Sequence, residues 1–297
     1  MRIVVERTGL TSHLIRAWER RYGAVVPHRT ETNRRLYSDG DIQRLNLLRR
    51  VVEGGNAISR VALLSNQDLE SMIPSSPSTG VALSTPAAGA RSAEEYLELA
   101  LEASSSLDAA ELEEVLSRAE MDLGRYVLIE RVITGLLLKT GKLWRTGEIR
   151  PSQEHLTSAV VRQLLGRGMA ARTDEAAPAI VLATPAGHLH ELGCLMTLNV
   201  ALMMGWRPVY LGADLPAEEI ARAAGQTGAR VVGLSLVYSA AHSQTLAELE
   251  RLSRLLDPGI TLLVGGRSAS RYPLGDLPNT LVLSSLEDLQ LALERLG

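Results

Sequence analysis

Phenylalanine is absent from the 297 residues, and aromatic side chains make up only 3% of them. The cores must therefore be built from Leu, Val, Ile, Met and Ala, which suits helices and a buried parallel sheet better than an aromatic-rich sandwich. A single cysteine, Cys194, excludes an internal disulfide framework and any cysteine-built zinc cage. No apolar run is long and uninterrupted enough to span a bilayer, and no basic-then-apolar leader opens the chain. The expected setting is the cytoplasm, with no membrane partner. What is present is ordinary for a soluble protein, 45% hydrophobic and 22% charged residues, at a length that suits two domains or one large one.

The net charge of −3 conceals a division. Residues 1–66 hold 12 arginines against 6 acids, whereas residues 67–297 hold 19 Lys or Arg against 28 acids. A basic module precedes an acidic one. Such an asymmetry points to an anionic partner for the first part, most simply nucleic acid.

The segment 71–92 (SMIPSSPSTGVALSTPAAGARS) is rich in Ser, Pro, Gly, Thr and Ala, lacks helical or strand periodicity, and reads as a linker. Before it, residues 1–70 form short helical segments punctuated by Gly9, Gly23, Pro27 and Gly54. After it, residues 93–175 are rich in Leu, Glu and Ala, with breaks near Ser104–Ser106, Gly124 and Arg145–Pro151; that pattern predicts a four-helix bundle. Residues 176–297 alternate strand with helix, the strands at 180–184, 209–212, 231–236, 261–264 and 281–284. Five such units predict a Rossmann-like, doubly wound parallel α/β sheet, with ligands at the loops beyond the carboxyl ends of the strands. The fold class is thus multidomain: an all-α winged helix-turn-helix, a four-helix bundle and the α/β sheet.

In Ser12–Gly23, Ile15, Trp18 and Tyr22 stack on one helical face while Arg16 and Arg20 share another. A short helix near Ile3–Arg7 and the turn Thr8-Gly9-Leu10-Thr11 complete a helix-turn-helix whose second helix presents His13, Arg16 and Arg20 to a DNA groove. The polar stretch Pro27–Tyr37, with Arg29, Thr30, Asn33, Arg34 and Arg35, suits a β-ribbon wing against phosphates. The run His13-Leu-Ile-Arg-Ala-Trp-Glu-Arg-Arg-Tyr-Gly23, with Thr32-Asn-Arg-Arg-Leu-Tyr-Ser-Asp-Gly-Asp-Ile42, resembles the winged helix-turn-helix of the MerR family of transcription regulators. That resemblance implies contacts to double-stranded operator DNA from Arg16, Arg20 and Tyr22 in the helix and from Arg29, Asn33, Arg34 and Arg35 in the wing, with Trp18 in the core.

The loop after the first strand of the sheet reads Thr184-Pro-Ala-Gly-His188-Leu-His190-Glu-Leu-Gly193. An imidazole at a strand end, with a glycine three residues on, has the chemistry of a metal ligand whose neighbour lets a flat group approach. The set His190-x-x-Gly193, Ser235-x-Val237 and Gly265-Gly266 resembles the cobalamin-binding motif of methionine-synthase-type Rossmann domains. There the histidine is the lower cobalt ligand and the cofactor's nucleotide tail enters beside the serine and the paired glycines. Imidazole suits cobalt, and small residues suit a bulky tail. The chain departs from that motif twice. Where the family has Asp or Glu two residues before the ligand, here stands His188, and Val237 replaces a leucine. Cys194, Met196, Met203 and Met204 read as packing.

Trp144, with Glu154 and His155 following 10 and 11 residues later, matches in order and spacing the helical cap of CarH-type photoreceptors, which join a MerR module, a four-helix bundle and a cobalamin domain in this order. The resemblance then covers nearly the whole chain. It implies adenosylcobalamin as cofactor, the adenosyl group beneath Trp144 and hydrogen-bonded by Glu154, and a dark homo-oligomer, a tetramer, that holds operator DNA as a repressor and comes apart when light cleaves the cobalt–carbon bond. No turnover is needed. The residue after the tryptophan, histidine in well-defined members, is Arg145, which cannot ligate cobalt; His155 or water is then the expected upper ligand after illumination. Two alternatives stay open: a regulator that senses cobalamin or a second chromophore without light, and a corrinoid methyl carrier, against which the arginine-rich first module argues.

Overall fold

A computed structural model describes residues 2–8, 10, 12–29, 35–53, 58–72, 91–170, 173–237 and 242–297. By their internal contacts they fall into two units, Met1–Thr157 and Ser158–Gly297.

The first unit opens with α1 (Arg2–Thr8) and α2 (Ser12–Tyr22). Thr8 Oγ1 donates to the Val4 carbonyl at 2.7 Å and accepts from Leu10 N at 3.3 Å, which stops α1 and turns the chain. Ile15 and Trp18 are buried, as the helical spacing predicts. A two-stranded antiparallel wing follows, β1 (His28–Arg29) and β2 (Arg35–Leu36), with His28 opposite Leu36 and Arg29 opposite Arg35. The module closes with α3 (Asp39–Glu53), α4 (Ile58–Val61) and α5 (Asn66–Met72). Arg44 ties them together: its guanidinium donates to the carbonyls of Ala24, Ala62 and Leu64 and to Asn66 Oδ1 at 2.7–2.8 Å. Five donors in a planar fork let one side chain satisfy four acceptors that a core this short of polar groups would otherwise leave wanting.

The bundle helices are α6 (Ala93–Ser105), α7 (Ala109–Leu123), α8 (Arg125–Val127) running through a π-helical turn (Leu128–Ile133) into α9 (Thr134–Thr146), and α10 (Pro151–Gly166). Their ends fall at the predicted breaks for identifiable reasons. Ser92 and Glu95 form a reciprocal capping box on α6, Asp108 caps α7, and Gly147 ends α9 in the left-handed conformation at φ 76°. In the π turn, Thr134 Oγ1 donates to the Ile129 carbonyl five residues back at 2.8 Å, one of the carbonyls that widening the helix displaces. Gly135 lets α6 and α9 meet closely, since a Cβ there would stand 2.8 Å from Leu97 Cδ2.

In the second unit, β3 (Ala179–Pro185), β4 (Arg207–Leu215), β5 (Val231–Ser235), β6 (Thr261–Gly265) and β7 (Thr280–Val282) form one parallel sheet in the order β4-β3-β5-β6-β7. Between them run α11 (Leu192–Met203), α12 (Ala217–Thr227) and α13 (His242–Leu255), and α14 (Leu286–Leu296) ends the chain. All seven residues of β3 are buried, which explains its unbroken apolar run. All five strands overlap the predicted ones. The strand order reverses between β3 and β5, so a crevice opens at their carboxyl ends.

Candidate cofactor and nucleic-acid sites

At that crevice the β3–α11 loop is fixed on both sides of an exposed imidazole. Upstream, Asp214, at the end of β4 with φ 62°, accepts from Gly187 N at 2.7 Å and donates its own N–H to the His188 carbonyl at 3.2 Å. Thr184 Oγ1 donates to the same carbonyl and accepts from Asp214 N at 3.0 Å. Downstream, the Glu191 carboxylate pairs with Arg162 at 2.5 Å and accepts from the Tyr210 hydroxyl. Between these anchors His190 is exposed. His188 is turned inward, buried, with Nε2 and Thr245 Oγ1 3.0 Å apart. Burial and the neighbouring His190 hold its pKa below the ordinary imidazole value, with Asp214 opposing, which favours its neutral form.

Gly193 opens α11 directly against Ser235 at the end of β5. A Cβ on Gly193 would overlap Ser235 Oγ outright and stand 3.1 Å from its Cβ. Ser235 Oγ is buried and has no hydrogen-bond partner among the described residues. Such an orphan is costly unless something else completes it. Ser235 pairs in register with Gly265, and the Val237 carbonyl accepts from Ser268 Oγ at 2.9 Å. Thus His190, Gly193, Ser235, Val237, Gly265 and Gly266 come together at the carboxyl edge of one sheet. Cys194 is packing, as expected: its thiol donates to the Ala183 carbonyl at 3.0 Å, and burial pushes its pKa up to about 12. Among the described residues no group of three or more His, Cys, Asp or Glu could hold a metal ion.

In the first unit, Trp144 lies near the end of α9 with 42% of its surface exposed, an unusual place for the largest apolar side chain of a helix. Arg145 beside it is exposed too. Glu154 lies in the first turn of α10, with its Oε2 3.9 Å from Nε2 of an exposed His155.

Of the predicted DNA contacts, Arg16 and Arg20 are exposed on α2. Arg35, on the wing, is engaged by Glu19, its Nε 2.8 and 3.0 Å from the two carboxylate oxygens, and Tyr37 donates to the same carboxylate at 3.2 Å. Thr30, Asn33 and Arg34 and the side chains of His13 and Arg29 lie outside the described residues. Tyr22 turns elsewhere: its hydroxyl donates to Asp122 Oδ1 on α7 at 2.8 Å, while the Tyr96 hydroxyl of α6 donates to Asp122 Oδ2. Burial and the Asp122 carboxylate raise both phenols, Tyr96 to about 12 and Tyr22 further. Because these folded-state values exceed the unfolded one, the stability the joint contributes is complete below about pH 10 and lost as the pH rises through about 12. Titration followed by tyrosinate absorbance is expected to show both phenols ionising late, and Asp122→Asn to bring them back toward the ordinary range.

Sequence reasoning missed Asp122, Asp214, Glu191 and Thr245. None belongs to a motif, and each acts on a residue far from it in the chain.

Comparison with known proteins bears on both sites. A family model described as MerR HTH family regulatory protein matches residues 1–67, and two models described as B12 binding domain match residues 96–167 and 178–275. The HTH-type transcriptional repressor CarH of Myxococcus xanthus is 32% identical over 270 residues, 91% of this chain and 89% of that protein. CarA, an HTH-type transcriptional repressor of the same organism, is 30% identical over 277 residues, 92% of this chain and 88% of its own length. Among solved structures, the monomethylamine corrinoid protein of Methanosarcina barkeri superposes with a TM-score of 0.57 at 14% identity, over 69% of this chain and 100% of that one; the likeness is one of fold.

Proposed function

We infer the function from a plain premise: the chain belongs to the CarH family of HTH-type transcriptional regulators, which join a MerR-type DNA-binding module to B12 binding domains. Our reading is that it is an adenosylcobalamin-dependent, light-responsive repressor. Its dark oligomer, a tetramer, binds operator DNA. In this reading residues 1–70 bind DNA, 71–92 link, 93–175 cap the cofactor and 176–297 hold it.

The observation that carries the cofactor reading is the seat at the sheet edge: an exposed His190 in a doubly anchored loop, beside a glycine pressed on a buried serine hydroxyl that has no hydrogen-bond partner among the described residues. In this reading His190 would ligate the cobalt, while Ser235 Oγ, Gly193, Val237, Gly265 and Gly266 would make room for the nucleotide tail. When bound, adenosylcobalamin supplies a cobalt–carbon bond that light breaks. In this reading Trp144 and Glu154 would supply contacts to the adenosyl group. A side chain that touches the cofactor only while its adenosyl group is present gives the ligand different affinities for two quaternary states, as a switch requires. His188 cannot act as the carboxylate that orients the ligand in related domains, because it is a histidine turned inward onto Thr245.

Size-exclusion chromatography of the chain with adenosylcobalamin, in darkness and after green light, is the test. A large species that binds DNA in the dark and dissociates on illumination is expected. A single size and unchanged DNA binding under both conditions would rule out the light switch. In the same samples, Arg145 leaves no imidazole directly after Trp144. With water or His155 as the expected upper ligand, the illuminated sample is expected to revert or release cobalamin readily; a long-lived bis-imidazole spectrum with the cobalamin fully retained would contradict this.

A further inference from the structure

The end of the DNA-reading helix is joined to the bundle. Tyr22 closes α2, and its hydroxyl meets Asp122 of α7 at 2.8 Å. Asp122 is only 8% exposed and has its other oxygen occupied by Tyr96, so both oxygens of a buried carboxylate are taken by phenols, one from each module. The preceding residue of the bundle, Met121, is 4% exposed and lies within the helix-turn-helix core with Trp18, Ile15 and Leu69, while α4 packs on α7. A polar latch and an apolar plug thus occupy consecutive positions at the end of one bundle helix.

Helix geometry decides what this joint does to DNA binding. At 3.6 residues per turn, Tyr22 projects about 160° away from Arg20 and about 120° from Arg16. It shares the buried side with Trp18, and both arginines are exposed while Tyr22 is held. Docking therefore leaves the arginine face free.

We propose that Tyr22 is a positioning residue: it does not read DNA but, through Asp122, fixes the recognition helix on α7 so that the arginine face is presented in one orientation by the bundle. Any rearrangement of the bundle then reaches the DNA-binding module through the Asp122 carboxylate. An oligomer gains more from modules held at fixed orientation than from swivelling ones, because the ordering is already paid before DNA arrives.

The inference rests on the reading that the chain binds operator DNA, and the two can fail separately. A duplex is selected from a random-sequence pool by the wild-type full chain, kept dark with adenosylcobalamin, and its affinity is measured for wild type, Tyr22→Phe, Asp122→Asn and the double variant. Each single change is expected to weaken binding about tenfold, the scale of one hydrogen bond to a charged group, and the double change to weaken it no further. A loss confined to Tyr22→Phe would mean that the hydroxyl reads DNA, and unchanged or tighter binding by Asp122→Asn would mean that the joint does not orient the helix; either overturns the proposal. Should Asp122→Asn fail to fold by circular dichroism, Met121→Ala takes its place with the same expected weakening. If the wild-type chain selects no duplex, the DNA-binding reading itself falls and takes the joint's role with it.

Discussion

Replacing His190 by alanine is expected to abolish cofactor retention: the variant should emerge from desalting colourless and lose the dark oligomer and its DNA binding with the pigment. The side chain is exposed and its loop is held at Gly187, His188 and Glu191 by Asp214, Thr184, Arg162 and Tyr210, so the fold should survive intact. Losing an outer-shell partner of a metal ligand costs about 10- to 100-fold in affinity; losing the ligand itself should exceed that. Equilibrium dialysis with adenosylcobalamin in the dark measures the difference directly. Unchanged uptake, with circular dichroism also unchanged, would remove His190 from the site and with it the reading of the sheet edge as the cobalamin seat. His188→Ala is the control for geometry. It takes away a buried partner of Thr245 and should lower stability before it lowers affinity.

Much of this was legible in residue order because the forces that set it are local. The alternation of strand and helix located all five strands, and the stretches Ser104–Ser106, Gly124 and Arg145–Pro151 marked the bundle breaks, where Gly124, Gly147 and Pro151 each restrict or free φ at one position. The resemblance singled out Gly193 and Gly266, and the structure shows close approaches there, a Cβ on Gly193 overlapping Ser235 Oγ and one on Gly266 meeting the Leu236 backbone. What escaped was long-range and polar. Tyr22 and Asp122 are 100 residues apart, and nothing near either announces the other. Spacing places Tyr22 on the face of Trp18 and resemblance places it on DNA; the structure shows its hydroxyl on Asp122. Asp214 adopts a positive φ that neither its type nor its neighbours require, and it does so where its carboxylate and its amide both hold the His190 loop. The π turn is equally silent in sequence, being one extra residue absorbed within a run whose apolar period continues.

Two alanines make the division between holding the fold and holding the cofactor measurable. Gly266 sits at φ 94°, and a Cβ there would stand 2.5 Å from the Leu236 carbonyl oxygen and 2.8 Å from its nitrogen. Both are backbone atoms already committed, the Leu236 N–H to the Gly265 carbonyl at 2.8 Å and the Leu236 carbonyl to Ser268 N at 2.9 Å. No rotamer relieves the clash. The ends of β5 and β6 must part, adding a lost buried hydrogen bond to the strain of the backbone conformation, together about 4 kcal/mol. For a unit of this size, Gly266→Ala should lower the melting temperature by roughly 10 °C. Gly193→Ala meets a side-chain end instead, because Ser235 Oγ, having no partner among the described residues, can rotate away. That variant should melt within a few degrees of wild type, on the scale of about 1 kcal/mol, yet take up little cobalamin, since the methyl group and the displaced hydroxyl both stand where the proposed reading puts the nucleotide tail. Thermal melts and dialysis on the same two proteins separate the effects. Normal uptake by Gly193→Ala would place the tail somewhere other than beside Ser235.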